Sequence, residues 1–163
     1  MERSYIDGNR TLLGEFRNHL RLTSNDLDAI LEQSLEVGVE RAEAEIGCVI
    51  ALSKFVVQLP FSQTLSLRGP IEKVLAVRVD GSVVPASQYT FDKWGITFAE
   101  GVEGTSVEVS YSAGFTQVPS MIKGAIFLFG ASYFNNPTDR PEERDRTAAA
   151  NLLRPYRRWG MRD

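Results

Sequence analysis

The segment TSNDLDAILEQSLEVGVERAEAEIG, residues 23–47, carries the clearest periodicity in the chain. Its apolar residues recur at the spacing of one helix face: Leu27, Ile30, Leu31, Leu35, Val39, Ala42 and Ile46. Four glutamates are expected on the opposite, solvated side: Glu32, Glu36, Glu40 and Glu43. Residues 23–25 each offer an oxygen to the helix N-terminus, and Gly47 favours a stop. We therefore predict a long helix over residues 24–46 with an acidic outer face.

Beyond this helix the period of the pattern changes from 3.6 to 2, which is typical of β-strands. In IEKVLAVRVDG, residues 71–81, the side chains of Leu75, Val77 and Val79 are expected on one face of a strand. The Asp-Gly pair that follows favours a tight hairpin turn. Similar alternation recurs up to residue 113. The pattern predicts an antiparallel β-meander of about four to six strands over residues 54–112.

Helical spacing returns in VPSMIKGAIFLFGASYFNN, residues 118–136, which is apolar on nearly every side. A helix of this kind is buried, either inside a domain or between subunits. We predict it over residues 119–135, with Pro119 in its first turn, where the missing N–H costs nothing. A polar, proline-containing loop separates it from a last short helix over residues 143–153.

These elements predict an α+β fold with a long N-terminal helix, a central antiparallel β-meander, a C-terminal buried helix, a short last helix and an extended tail. A further short helix is expected over residues 15–22. Residues 1–14 lack strong periodicity and are interpreted as an N-terminal arm. The division is therefore an arm at 1–14, a single domain at 15–151, and a docking tail at 152–163.

Composition excludes several classes of protein. The 163 residues are 43% hydrophobic, which is enough for a real core, and no apolar run approaches the roughly 20 residues that span a bilayer. The formal charge is -3, and residues 119–163 hold 8 Lys and Arg against 5 Asp and Glu. A duplex-binding protein normally has a basic face, so an overall nucleic-acid-binding role is disfavoured. The single cysteine, Cys48, is expected to be a buried thiol.

No catalytic constellation is visible in the chain. One histidine, His19, and one cysteine cannot build a His/Cys zinc site, and both common phosphate-binding loops are absent. A capping or surface role suits His19, because a general base needs partners that the sequence does not supply. We predict that the protein is not an enzyme and has no cofactor, metal site or catalytic residue.

The chain ends in NLLRPYRRWGMRD, residues 151–163, with four arginines and two large aromatics. A frayed terminus, a DNA contact through arginine and stacked aromatics, and a docking segment for another protein are the alternatives. Arg, Tyr and Trp are enriched at protein interface hot spots, which favours docking, with Tyr156 and Trp159 as anchors. The candidate interface residues are Leu152, Leu153, Arg154, Pro155, Tyr156, Arg157, Arg158 and Trp159.

Three phrases in this order resemble the head–tail connector (adaptor) proteins of tailed bacteriophages. The first is LRLTSNDLDAILEQSLEVGVERAEAEIG, residues 20–47, which is similar to the family's opening helix. The second is VEVSYSAGFTQVPSMIKGAIFLFGASYFNN, residues 107–136, which is similar to its join from last strand to buried helix. The third is LLRPYR, residues 152–157, which is similar to its closing LLxPYR pattern.

The resemblance implies a structural virion protein made in the bacterial host cytoplasm and located in the virion neck, at the head–tail junction. It implies a homo-oligomeric ring of about twelve copies, bound to the portal protein above and a stopper or tail-end protein below, with no membrane partner. DNA would pass through the lumen without specific binding. Because Lys and Arg contacts are what hold phosphates, acidic residues are expected to line or border the channel: Glu32, Glu36, Glu40, Glu43, Glu100 and Glu103.

Two other hypotheses stay open at this point. In the first, the chain is another head-completion or tail-neck protein, which differs from a connector in the surfaces that assembly buries. Alternatively, it is a nucleic-acid-binding module that acts through the C-terminal arginines, which predicts salt-dependent affinity for DNA.

Overall fold

The computed structural model describes residues 2–5, 10–24, 26–136 and 143–157 of the chain. The chain divides into two compact units. The strand unit comprises Met1–Ile6 and Ala51–Thr116, and the helical unit comprises Asp7–Ile50 and Gln117–Asp163. Every described β-strand belongs to the strand unit and every described α-helix to the helical unit, so the predicted α+β class is confirmed.

Four α-helices are described in the helical unit: α1 (Arg10–His19), α2 (Asp28–Ile46), α3 (Ser120–Asn135) and α4 (Glu143–Leu153). The helix predicted over residues 15–22 lies earlier in the chain, at Arg10–His19. It ends before Arg21, whose φ of 57° is outside the helical region. The start of α2 falls at residue 28 rather than 24, because the Ser24 hydroxyl contacts Asp26 instead of capping the helix. Its end is as predicted, since Gly47 adopts a φ of 69°.

Helices α2 and α3 approach each other closely at two glycines. A Cβ on Gly38 would lie 2.5 Å from the backbone oxygen of Ile126, and one on Gly130 would lie 3.0 Å from the backbone oxygen of Ser34. Glycine is therefore required for this approach. The core of the helical unit includes the fully buried side chains of Phe16, Leu31, Leu35, Val39, Ile46, Ile122, Ile126 and Leu153. No helix, over the ranges described, is long and apolar enough to cross a membrane.

The strand unit contains β1 (Glu2–Tyr5), β2 (Ser53–Pro60), β3 (Thr64–Ser66), β4 (Ile71–Val79), β5 (Ser82–Val83), β6 (Tyr89–Phe91), β7 (Gly95–Phe98) and β8 (Ser106–Ala113). They form a five-stranded sheet in the order β1-β2-β8-β4-β5 and a three-stranded sheet in the order β3-β7-β6. All described pairings between these strands are antiparallel.

This sheet order shows that the predicted simple meander was wrong, because the last strand lies between β2 and β4. Strand β8 is the most deeply buried strand, with Val107, Val109, Tyr111 and Ala113 on its inner face. A strand with so much apolar surface is covered best in the middle of a sheet. Alternation in the sequence indicates strands, but it does not determine their order.

The first strand, β1, was not predicted, since residues 1–14 were interpreted as an arm. It pairs with β2, and the Arg3 Nε–H donates to the Ser53 hydroxyl at 3.1 Å. The Arg3 guanidinium also lies 5.5 Å from the centroid of the Phe55 ring. These contacts attach a short strand that shows no clear alternation of its own.

Strand β4 contains two irregularities in its pairing with β8, one between Ile71 and Lys73 and one between Val74 and Ala76. The second makes Val74, rather than Leu75, the neighbour of the buried Tyr111. The prediction that Leu75 shares a face with Val77 and Val79 was therefore wrong. Leu75 is 46% exposed, because a bulge redirects a side chain out of the alternation.

The Asp80–Gly81 turn joins β4 to β5 as predicted, with φ values of 47° and 84°. The Asp80 carboxylate accepts hydrogen bonds from the Thr105 hydroxyl at 2.7 Å and from the Ser106 backbone N–H at 2.9 Å. The Thr105 backbone N–H donates as well, at 3.0 Å. These donors, led by the Thr105 hydroxyl, lower the pKa of Asp80 from 3.8 to about 2.

We expect Gly38→Ala to lower the free energy of unfolding by about 1–3 kcal/mol, because the added methyl would overlap the α3 backbone. Gly14→Ala is the matched control, since a Cβ at Gly14 would meet nothing within 4 Å. That change should stabilise α1 by about 0.5–1 kcal/mol. Urea denaturation of both variants measures the difference, and an equal effect of the two changes would contradict the close approach.

The Asp80 pKa also predicts a dependence of stability on pH. Since folding lowers this pKa, the stabilisation is fully present above about pH 3.8 and is lost as the pH falls toward about 2. The difference in melting temperature between wild type and Asp80→Asn should therefore be constant above pH 4 and shrink between pH 4 and 2. A difference that does not change over that interval would contradict the hydrogen-bonded turn.

Candidate assembly interface

The C-terminal segment is held against its own helical unit up to residue 157. Leu153 is fully buried, and Leu152 is half-buried, with Cδ1 3.3 Å from the position that a Cβ on Gly124 would occupy. The Arg157 guanidinium forms an ion pair with the Glu45 carboxylate on α2. A short 3-10 helix spans Arg154–Tyr156. The predicted extended tail is therefore wrong for residues 152–157, because burial of Leu153 and the ion pair keep this part folded.

The predicted interface residues separate into two groups. Leu153 and Arg157 are engaged inside the chain, whereas Arg154 and Pro155 are exposed and Tyr156 is half-buried. Arg158 and Trp159 lie outside the described residues. The ion-pair partner Glu45 was missed by sequence reasoning, because it belongs to α2, over 100 residues away, and carries no mark that distinguishes it from the other glutamates there.

The acidic row of α2 consists of Glu32, Glu36 and Glu40, which are exposed and make no ion pair with any described residue. Glu43 departs from the prediction, since its side chain is only 4% exposed. Its Oε1 accepts a hydrogen bond from the Ile50 backbone N–H at 2.8 Å. At about 100° per residue, position 43 falls beside the buried stripe, where a carboxylate needs such a donor.

The other two acidic candidates belong to the strand unit. Glu100 and Glu103 are exposed in the connection between β7 and β8. An open cleft of about 400 Å³ beside them has Asp80 and Glu103 as its titratable lining residues. Because the Asp80 carboxylate is occupied by the hydrogen bonds of its own turn, this cleft presents no acid–base pair.

Within the described ranges, no group of three or more His, Cys, Asp or Glu residues could hold a metal ion. The His19 ring is exposed and lies 5.5 Å from the Phe127 ring, in keeping with the surface role predicted for it. Burial raises the pKa of the Tyr111 hydroxyl, which lies in the core of the strand unit.

Among the described residues, six large apolar side chains are exposed: Leu27, Ile30, Leu75, Val83, Phe91 and Met121. Leu27 and Ile30 were predicted to face the core, and this was wrong. Leu27 precedes the first residue of α2, and Ile30 is directly followed by the buried Leu31. Adjacent helical residues are about 100° apart, so Ile30 lies at the edge of the buried stripe that contains Leu31.

Comparison with known proteins identifies similar folds. No protein-family model and no curated protein matches the sequence. Solved structures match over 99% of this chain and 98% of theirs. One is a chain in the neck of an empty gene transfer agent (GTA) particle with C6 symmetry, with a TM-score of 0.75 and 20% identity. Another, in the virion of a native GTA particle, has a TM-score of 0.75 and 21% identity. A third, in a native GTA neck with C12 symmetry, has a TM-score of 0.73 and 20% identity. The chain therefore shares its whole fold with these proteins.

Substitutions in the two groups of C-terminal residues should change the free energy of unfolding by very different amounts. Leu153→Ala should lower the free energy of unfolding by about 2–5 kcal/mol, because it removes a fully buried side chain. Arg154→Ala, one residue later and exposed, should change it by no more than about 0.5 kcal/mol. Chemical denaturation checks both values. A Leu153→Ala protein as stable as wild type would show that this segment is not part of the core.

Proposed function

We propose that this chain is a structural, non-enzymatic subunit of the ring that joins the head of a phage-like particle to its tail. The observation that carries the proposal is the similarity of fold over 99% of the chain to neck proteins of GTA particles, with TM-scores up to 0.75. The three phrases that resemble head–tail connectors support it independently. The protein would then reside in the virion neck.

A ring of about twelve copies is the proposed assembly. The similar neck chains come from structures with C6 and C12 symmetry, which supports cyclic self-association of this fold. In a cyclic ring, each subunit contacts the next through two different surfaces. Apolar side chains exposed on both units supply surface for such contacts.

The portal on one side and a stopper or tail-end protein on the other are the proposed neighbours. The 3-10 helix at Arg154–Tyr156 supplies an exposed arginine, an exposed proline and a half-buried tyrosine. The buried Leu153 and the Arg157–Glu45 ion pair hold this helix in place. A preorganised segment loses less conformational entropy on docking than a free tail does. Trp159 is proposed as a further anchor from the sequence.

DNA is proposed to pass through the ring without specific binding. The exposed glutamates of α2, and Glu100 and Glu103 of the strand unit, are the candidates to border the channel. Carboxylates repel phosphates, so such a lining would let DNA move without the contacts that retain it. Glu43 is removed from this set, because its carboxylate is buried.

The nucleic-acid-binding hypothesis is weakened by the arrangement of the arginines. Arg157 is paired with Glu45, which leaves Arg154 as the exposed arginine of the described C-terminal segment. Phosphate binding by a few residues is weak at physiological salt. The alternative of another head-completion or tail-neck protein places the chain in the same particle, and differs in which surfaces assembly buries.

Truncation after Leu153 separates docking from DNA binding. The truncated chain keeps Leu153 and should fold, but it should lose portal binding, because the 3-10 helix and the ion pair of Arg157 are gone. Circular dichroism checks folding, and co-sedimentation with the portal protein measures binding. The full chain carrying Arg154→Ala is the control for a single lost charge.

The wild-type and truncated chains are then tested on duplex DNA at about 50 and 200 mM salt, an interval over which phosphate contacts weaken markedly. Weak binding by both proteins is the expected result. Tight, salt-dependent binding that disappears on truncation, together with unchanged portal binding, would assign the segment to DNA.

A further inference from the structure

Strand β5 forms one edge of the five-stranded sheet, and this edge is open to a further strand. In the register with β4, Val83 lies opposite Arg78. The Val84 backbone N–H donates to the Val77 carbonyl at 2.9 Å, so the N–H and C=O of Val83, one residue earlier, point away from β4. Neither group has a hydrogen bond with a described residue. The edge at Val83 therefore offers one backbone donor and one backbone acceptor.

The two sides of this edge differ in chemistry. The Val83 side chain is 70% exposed and shares its side of the sheet with Arg78, whose charge is paired with Glu108 at 2.7 Å. Ser82, the neighbour of Val83, points to the other side, where it lines the open cleft of about 400 Å³ together with Glu103. One side of the edge therefore exposes an apolar side chain, and the other side is an acidic cleft.

The end of the sheet that carries β5 is negatively charged. Residues 79–91 and 99–107 contain three carboxylates, Asp80, Glu100 and Glu103, and no Lys or Arg. Asp80 is held by the hydrogen bonds of its own turn, whereas Glu103 is exposed and has no ion pair with a described residue. A segment that adds to β5 is therefore expected to bring a cation to the cleft.

The last residues of the chain have the pattern of a strand that fits both sides of this edge. The sequence RWGMR, residues 158–162, lies outside the described residues and alternates strictly between apolar residues and basic or small ones. Such alternation puts the apolar side chains of Trp159 and Met161 on one face of a strand and both arginines on the other. Asp163 follows the segment, so the positive charge is least offset at Arg158.

We propose that residues 158–162 of one copy add to β5 of a second copy as an antiparallel sixth strand of its sheet. In this arrangement Trp159 lies opposite Val83, bonds to its free N–H and C=O, and places its ring beside the exposed valine. Arg158 then points to the other side, into the cleft beside Glu103. A register shifted by one residue would put the tryptophan among carboxylates, so the two sides of the edge select this one.

The inference rests on the proposed function, because a cyclic ring needs two different surfaces that meet between copies. The segment is one of them and β5 is the other, so each copy supplies one strand and binds one. Arg157, directly before the segment, is held on its own helical unit by the ion pair with Glu45, which fixes where the segment starts. In the ring Glu103 is covered, and Glu100 remains among the candidates that border the channel.

A proline at position 83 tests the backbone pairing. Val83→Pro removes an N–H that points away from β4, so the chain's own sheet keeps its hydrogen bonds, as is usual for proline on an edge strand. Val83→Thr is the matched control, because it keeps the N–H and nearly the same shape.

The proline variant should raise the concentration at which half of the chains assemble by at least about tenfold, whereas the threonine variant should assemble as wild type does. Sedimentation velocity measures assembly, and circular dichroism verifies folding. A folded Val83→Pro protein that assembles as wild type does would overturn the strand addition.

Reversal of charge tests the side chains. Arg158→Glu and Glu103→Arg should each weaken assembly, because each places like charges together in the cleft. The protein with both changes should assemble more tightly than either single variant, since the pair is restored with its charges exchanged. Glu36→Arg, at an exposed residue of α2, is the control, and its combination with Arg158→Glu should show no recovery. Strictly additive effects of Arg158→Glu and Glu103→Arg would show that these side chains do not meet.

A mixture of two variants shows whether the segment reaches a second copy. A chain truncated after Arg157 keeps β5 but lacks the segment, and Val83→Pro keeps the segment but lacks the edge. Their equimolar mixture should form dimers with one copy of each and should not close a ring, which native mass spectrometry resolves by mass. Glu103→Arg replaces Val83→Pro in the mixture if circular dichroism shows that the proline unfolds the sheet. Impaired single variants whose mixture stays monomeric would overturn the contact between copies.

The failure of this inference is distinct from failure of the proposed function. A wild-type chain that stays monomeric both alone and with the portal protein contradicts the ring itself. A ring that the chain truncated after Arg157 also forms, at unchanged concentration, contradicts only the strand addition. If that truncated chain forms the ring but no longer co-sediments with the portal protein, the segment belongs to the portal contact instead.

Discussion

The close approach of α2 and α3 at Gly38 and Gly130 is the constraint on which the helical unit depends. Because no side chain separates the two backbones there, α3 packs closely on α2, and seven of its sixteen residues are buried. The same packing leaves the outer side of α2 free for glutamates. The C-terminal segment packs on these helices, since Leu153 is buried and Arg157 forms an ion pair with α2. The position of this segment therefore depends on the packing at the two glycines.

Local features of the fold were predictable from the sequence, because they depend on neighbouring residues. The end of α2 at Gly47 and the Asp80–Gly81 turn each follow from the backbone freedom of glycine. The order of strands was not predictable, since alternation is the same for every antiparallel arrangement. The bulge at Leu75 was not predictable either, because it depends on which residues of β8 lie opposite.

The candidate interface was predicted less well than the fold, and for a physical reason. Sequence patterns assign residues to an inside or an outside, and the candidate residues include exceptions to that division. Glu43 is a charged residue that is buried, and Ile30 is an apolar residue that is exposed. The C-terminal arginines look alike in the sequence, yet Arg157 has a partner in its own chain and Arg154 is exposed. Only the three-dimensional contacts separate these roles.

The mass of the purified wild-type protein tests the central claim, cyclic self-assembly, most directly. Native mass spectrometry across a range of concentrations, alone and with the portal protein, measures the number of copies in each species. The account predicts one closed species, of about twelve copies, with little between it and the monomer, because a ring is complete only when every subunit has two neighbours. A monomer at every concentration, or a continuous ladder of oligomers without a closed species, would contradict it.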